Sequence, residues 1–109
     1  MEYLAISFYQ FFRIEGVQLE VKKLKKVFSS LGIQGRIYLA EEGVNAQISL
    51  EKKDFAAFTE WKKNSIYADA SLKVQPAEEH AFQRLTVKER KQLCAFDVPF
   101  SQDASAGEK

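Results

Sequence analysis

Apolar and polar positions alternate from Tyr3 to Phe12, with Leu4, Ile6, Phe8 and Phe12 on one side and Tyr3, Ala5, Ser7, Tyr9 and Phe11 on the other. A period of two belongs to an extended strand, whose successive side chains point to opposite faces. β-Branched and aromatic residues dominate and neither side is strongly polar, so the pattern predicts a central strand. The period then lengthens. Val17, Val21, Leu24, Phe28 and Leu31 recur at intervals of four, three, four and three, one stripe of a helix, with Gly32 where a C-terminal cap belongs. Lys22, Lys23, Lys25 and Lys26 fill the rest of its circumference. Two short alternating runs follow, Ile37 and Leu39 with Arg36 and Tyr38, then Val44, Ala46, Ile48 and Leu50 with Asn45, Gln47 and Ser49. Between them Glu41-Glu42-Gly43 predicts a hairpin in which Gly43 turns the chain. A second helix is predicted over about 51–65, with Phe55, Phe58 and Ile66 on its apolar face and Trp61 at its edge. Leu72-Lys73-Val74 is short and extended, and alternation resumes from Arg84 to Leu93 with Leu85 and Val87 inward.

The order is strand, helix, strand, strand, helix, strand, with room for one more strand. Two right-handed crossovers around a hairpin predict an α+β fold, the ferredoxin-like or acylphosphatase-like βαββαβ sandwich: an antiparallel sheet with both helices on one face. The other face then stays open, bearing Tyr9, Phe11 and Tyr38, unless a partner or the chain's own tail covers it. One domain is expected over 1–96. Residues 97–109 are small, polar and patternless, which reads as a tail or the start of an interdomain linker.

Composition narrows the class without naming a function. The chain has 109 residues, 46% of them apolar and 13% aromatic, enough for one real core. Its 16 Lys and Arg against 15 Asp and Glu give a net charge of +1, so only the distribution of charge bears on a nucleic-acid partner. A single cysteine, Cys94, precludes an internal disulfide and fits a reducing compartment. No apolar run approaches the ~20 residues of a membrane span, and Met1-Glu2-Tyr3 is no signal-peptide start; a cytoplasmic chain with no membrane partner is expected.

Few residues offer catalytic chemistry. Cys94 lies in Leu93-Cys94-Ala95-Phe96, an apolar setting without the base or glycine-rich loop that activates a thiol, and reads as a small hydrophobe. The sole histidine, His80, has no Cys or His near it to complete a metal site and reads as part of a solvated loop. Acylphosphatase chemistry needs a glycine-shaped cradle of N–H groups after the first strand, an Arg for phosphate and an Asn for water. Arg13 follows that strand, but Gln10-Phe11-Phe12-Arg13 has no glycine, and Asn45 lies on the third strand rather than the second. No catalytic residue, metal or cofactor is assigned to these residues. The basic positions carry more. Arg84, Thr86, Lys88 and Arg90 share one strand face, with Lys91 beside them, and Tyr9, Phe11 and Tyr38 point onto the open face. Flat rings beside cations suit single-stranded RNA, since bases stack while guanidinium and ammonium groups meet phosphate. The third strand presents Asn45, Gln47 and Ser49 where the RNA-recognition motif stacks aromatics, so that consensus is absent.

Gly35-Arg36-Ile37-Tyr38-Leu39-Ala40-Glu41-Glu42-Gly43-Val44-Asn45, followed by Phe82-Gln83-Arg84-Leu85-Thr86-Val87-Lys88, resembles the N-terminal domain of the rhodanese-like tRNA uridine hydroxylase family. The resemblance covers roughly residues 3 to 96, and the Ala-Glu-Glu-Gly-Val-Asn hairpin is its most specific piece. It implies a part in making 5-hydroxyuridine at the wobble position with oxygen: an accessory, tRNA-binding domain whose partners are tRNA and a downstream rhodanese domain. Two departures stand out. Ala46 replaces the family's glycine after the hairpin Asn, and Cys94 has none of the rhodanese Cys-x-x-Gly-x-Arg/Lys loop. The chain thus reads as an N-terminal domain without its catalytic neighbour, and its own enzymatic status stays open. The residues singled out for RNA or domain-interface contact are Tyr9, Tyr38, Glu41, Glu42, Gly43, Asn45, Arg84, Lys88 and Arg90. Two other classes stay open: a structural or protein-interaction module without RNA contact, and a free-standing acylphosphatase dependent on Arg13.

Overall fold

The structure is a computed structural model and describes residues 2–91. Alternation is realised as β1 (Tyr3–Phe11), β2 (Gln34–Ala40), β3 (Gly43–Glu51), β4 (Lys73–Ala77) and β5 (Leu85–Glu89). The longer period gives α1 (Val17–Ser30) and α2 (Phe55–Lys63), the latter entered through a single 3₁₀ turn at Lys52–Asp54. The sheet order is β4-β1-β3-β2-β5. β1 lies antiparallel between β3 and β4, and β3 antiparallel between β1 and β2, which is the expected ferredoxin-like arrangement. The fifth strand extends it: β5 runs parallel to β2 at the sheet edge, making the sheet mixed. Among the described residues no helix is long and apolar enough to cross a membrane.

The period-two pattern decides which side the helices cover. Ile6 and Phe8 of β1, Ile37 and Leu39 of β2, Val44, Ala46, Ile48 and Leu50 of β3, and Val87 of β5 are buried together with Leu24 and Phe28 of α1 and Phe58 of α2. Phe58 is fully buried and packs near Phe8 and Phe28 at ring separations of 6.5 and 6.1 Å; burying such a side chain contributes roughly 2–3 kcal/mol. Helix α1 stops where Gly32 adopts φ 70°. The Ile33 N–H then reaches back to the Phe28 carbonyl at 2.9 Å and the Gly32 N–H to Ser29 at 3.1 Å, satisfying carbonyls that the helix leaves open.

Two local expectations are corrected. The second helix ends at Lys63, and tight turns follow in which the Asn64 and Ser65 N–H groups bond to Trp61 and Lys62. The helical period therefore breaks before Ile66, which is 49% exposed, and Tyr67 takes the core position at 1%. Gly43 does not turn the chain. The turn is made by Glu41 and Glu42, while Gly43 is already paired with Ala40 and Phe11 in the sheet. Its hydrogen is needed because a Cβ there would collide with the Gln10 carbonyl oxygen.

Candidate functional site

The sheet face away from the helices is built from the alternate register. One row runs Tyr9, Asn45, Tyr38, Lys88 across β1, β3, β2 and β5; the next runs Ser7, Gln47, Arg36, Thr86, with Lys73 of β4 beside Ser7. Beyond the first row, Arg90 follows β5, its N–H bonded to the Leu39 carbonyl at 2.7 Å. Its guanidinium carbon lies 4.2 Å from the centre of the Tyr38 ring, a cation–π contact. Tyr9 and Phe11 are 55% and 54% exposed and meet edge to face at 5.6 Å.

This face is not wholly open. β4 and β5 lie at opposite sheet edges, so the connection between them must cross, and it does so over one end of the face. There the His80 ring sits 4.6 Å from that of Tyr3, its Nδ1 shares a 2.8 Å hydrogen bond with the Ser49 hydroxyl, and Phe82 lies 5.9 Å from the Arg36 guanidinium. Ser49 is fully buried as a result. His80 is therefore half-buried and partnered rather than solvated. Its sequence neighbours Glu78, Glu79 and Ala81 are exposed, and the contact that orders it comes from strands distant in sequence.

The structure brings Tyr9, Asn45, Tyr38, Lys88 and Arg90 together in one band. Among the described residues Arg84, Lys88 and Arg90 form no ion pair, and the Asn45 amide makes no hydrogen bond. At the strand positions facing this side, Glu51, paired with Tyr3 at the covered end, is the one carboxylate among the described residues. Arg84 enters β5 with its carbonyl accepting from the Gly35 N–H at 2.9 Å and its side chain exposed. Glu41, Glu42 and Gly43 stand apart from the band in role. The Glu41 and Glu42 carbonyls accept from the Ile14 and Phe12 N–H groups at 2.9 and 3.1 Å, pinning the segment after β1 to the hairpin. Phe11, absent from the set of candidates, belongs with Tyr9; its place in the alternation was the available signal. Cys94 and the tail expected over 97–109 lie outside the described residues. Lys22, Lys23, Lys25 and Lys26 do not join the band, because they project from the helix layer on the opposite side.

The same hairpin bonds bear on phosphate chemistry. Phe12 and Ile14 N–H groups, which follow β1 where a cradle would form, already have carbonyl partners, and an anion nest needs such donors free. On the helix side a groove of about 340 Å³ is lined by Glu20, Leu24, Val27, Trp61 and Tyr67 among others. Several of its polar groups pair with one another: the Tyr67 hydroxyl donates to Glu20 at 3.1 Å, and Lys23 pairs with Glu20 at 3.4 Å. Burial, and then the neighbouring Glu20 carboxylate, push the Tyr67 hydroxyl well above the ordinary tyrosine range. Among the described residues no cluster of three His, Cys, Asp or Glu is arranged to hold a metal ion.

Solved structures share the fold. A BLUF protein, BlrB in its dark state, superposes with a TM-score of 0.62 over 80% of this chain and 73% of its own at 9% identity. An acylphosphatase from Coxiella burnetii gives 0.54 over 79% and 92% at 16% identity. At such identities the likeness concerns architecture alone. Curated relatives are closer in sequence. The tRNA uridine(34) hydroxylase of Protochlamydia amoebophila is 36% identical over 96 residues, 87% of this chain and 30% of that protein. That of Chlamydia felis is 35% identical over 102 residues, 91% of this chain and 31% of that protein. Rhodanese-like domain-containing protein 8, chloroplastic, of Arabidopsis thaliana is 34% identical over 98 residues, 88% of this chain and 22% of that protein. The chain thus spans less than a third of the length of these relatives. Residues 3–93 match the model of the UPF0176 acylphosphatase like domain, and the chain belongs to that family.

Proposed function

We propose that this domain is the tRNA-binding accessory part of a cytoplasmic tRNA uridine hydroxylase, holding tRNA against a rhodanese domain that carries the hydroxylation. The observation that carries the proposal is the band of Tyr9, Asn45, Tyr38, Lys88 and Arg90 on one sheet face, with its cations unneutralised among the described residues. The names of the curated relatives supply the substrate class. Lys88, Arg90 and Arg84 meet phosphates, and no catalytic residue or cofactor is assigned to this chain. A protein-interaction module is the competing reading, favoured by the exposure of Tyr9 and Phe11 but not by the cations beside them.

Titrating the chain with tRNA at several salt concentrations tests the proposal. Replacing Arg84, Lys88 and Arg90 by Ala is expected to weaken binding and flatten the plot of log affinity against log salt, by about 0.7 for each single-strand phosphate that no longer meets a cation. Melting temperature should fall by only a few degrees, because exposed charges contribute little to folding and the Arg90–Tyr38 contact is worth about 0.5–1 kcal/mol. Unchanged affinity and slope would remove β5 from any RNA surface.

A further inference from the structure

We infer that Tyr9 and Phe11 form the stacking site of this face and that it takes unpaired RNA nucleotides, while Tyr38 serves as the support that aims Arg90. The inference rests on the tRNA-binding reading and adds the form of RNA recognised and the division of labour among the rings. Three aromatic side chains face this side within two neighbouring rows, yet they are not equivalent. Tyr38 is half-buried and already has a guanidinium over its ring at 4.2 Å, so a base arriving there must displace a cation. Tyr9 and Phe11 are each more than half exposed, and their mutual contact is edge to face at 5.6 Å, which leaves ring faces available.

The geometry across the sheet fits a flat strand of RNA. Tyr9 and Lys88 stand in one row three strands apart, about 14 Å at the usual strand spacing. Apolar rings thus lie at one end of the row and cations at the other. Asn45, whose amide makes no hydrogen bond among the described residues, lies directly between Tyr9 and Tyr38, and Gln47 of the next row is exposed. Each amide offers a donor and an acceptor to a base edge. Base edges and ring faces are accessible together only when the nucleotide is unpaired, whereas a duplex offers its backbone to the cations and nothing to the rings. The charge favours RNA over an apolar protein partner, since Lys88, Arg90, Arg36 and Lys73 face this side against Glu51 at the covered end.

The test titrates the 109-residue chain with a short oligouridylate and, separately, with a blunt RNA duplex. Tyr9→Ala and Phe11→Ala should each lower oligouridylate affinity about 5- to 150-fold without changing the salt slope. Duplex affinity should stay as it was, and Tyr9→Trp should restore oligouridylate binding. Tyr38→Ala should instead flatten the salt slope, because it frees Arg90 from its position. If both ring variants bind oligouridylate like the wild type while the Arg84, Lys88 and Arg90 variant is weakened, stacking is overturned and the phosphate-binding reading survives. If neither set of variants changes RNA affinity, both fall. Ring variants that keep RNA affinity but lose association with a rhodanese domain would overturn the inference in favour of a protein contact.

Discussion

The guanidinium of Arg90 rests 4.2 Å from the centre of the Tyr38 ring, joining the residue that follows the last described strand to the middle of β2. Because β5 runs parallel to β2 with Tyr38 opposite Lys88, the contact sets where the end of β5 lies. A cation–π pair at an exposed site is worth about 0.5–1 kcal/mol. Arg90→Lys should therefore preserve stability to within that amount, whereas tRNA affinity should fall, since lysine loses the planar, bidentate grip on phosphate. Denaturant midpoints beside binding titrations check both halves.

Gly43→Ala should destabilise the domain by about 2–3 kcal/mol, because the new Cβ meets the Gln10 carbonyl and one of the two strands must move. Glu41→Ala should cost under about 0.5 kcal/mol, since it is the Glu41 backbone carbonyl that holds Ile14. Equilibrium urea unfolding of the two variants distinguishes close backbone approach at Gly43 from a requirement for the Glu41 side chain.

Tyr67 makes stability fall in alkali. Its hydroxyl stays protonated in the folded state above the ordinary tyrosine pKa of about 10, held there by burial and by Glu20. The unfolded chain releases that proton near pH 10 and the folded chain does not, so this contribution is complete below pH 10 and declines above it. Tyr67→Phe should lose roughly 1–2 kcal/mol at neutral pH with the hydrogen bond to Glu20 and show a shallower decline above pH 10. Melting curves from pH 7 to 11 on both proteins provide the comparison.

Acyl phosphate should be left intact. The likeness to an acylphosphatase is one of fold, while the Phe12 and Ile14 N–H groups are committed to the hairpin. The purified chain should hydrolyse benzoyl phosphate no faster than buffer, with Arg13→Ala indistinguishable. Turnover that disappears in that variant would restore the acylphosphatase reading.

Much of this architecture was legible because it depends on short-range periodicity. Alternation around Ile6 and Phe8 and around Val44 to Leu50 placed the sheet core, and the stripe from Val17 to Phe28, closed by Gly32, placed α1. The same alternation put Tyr9, Phe11, Tyr38 and Lys88 on one side. What escaped depends on contacts between distant residues. Tyr67 displaces Ile66 from the core because a turn, not a further helical residue, follows Lys63, and because Glu20 waits for its hydroxyl across α1. His80 reads as solvated until the crossing from β4 to β5 lays it on Tyr3 and Ser49. Gly43 looks like a turn glycine until β1 is seen to approach it. The resemblance carried by Gly35 to Asn45 and Phe82 to Lys88 located the family, but it assigned no contact to any single residue.

The central claim concerns which face meets tRNA, and amide chemical-shift mapping of the isotopically labelled chain addresses it most directly. On addition of unmodified tRNA, perturbations should centre on Tyr9, Phe11, Asn45, Tyr38, Lys88 and Arg90 and spare α1. Perturbations centred on Lys22, Lys23, Lys25 and Lys26, on the helix layer opposite, would contradict the account, and so would a spectrum that tRNA leaves unchanged.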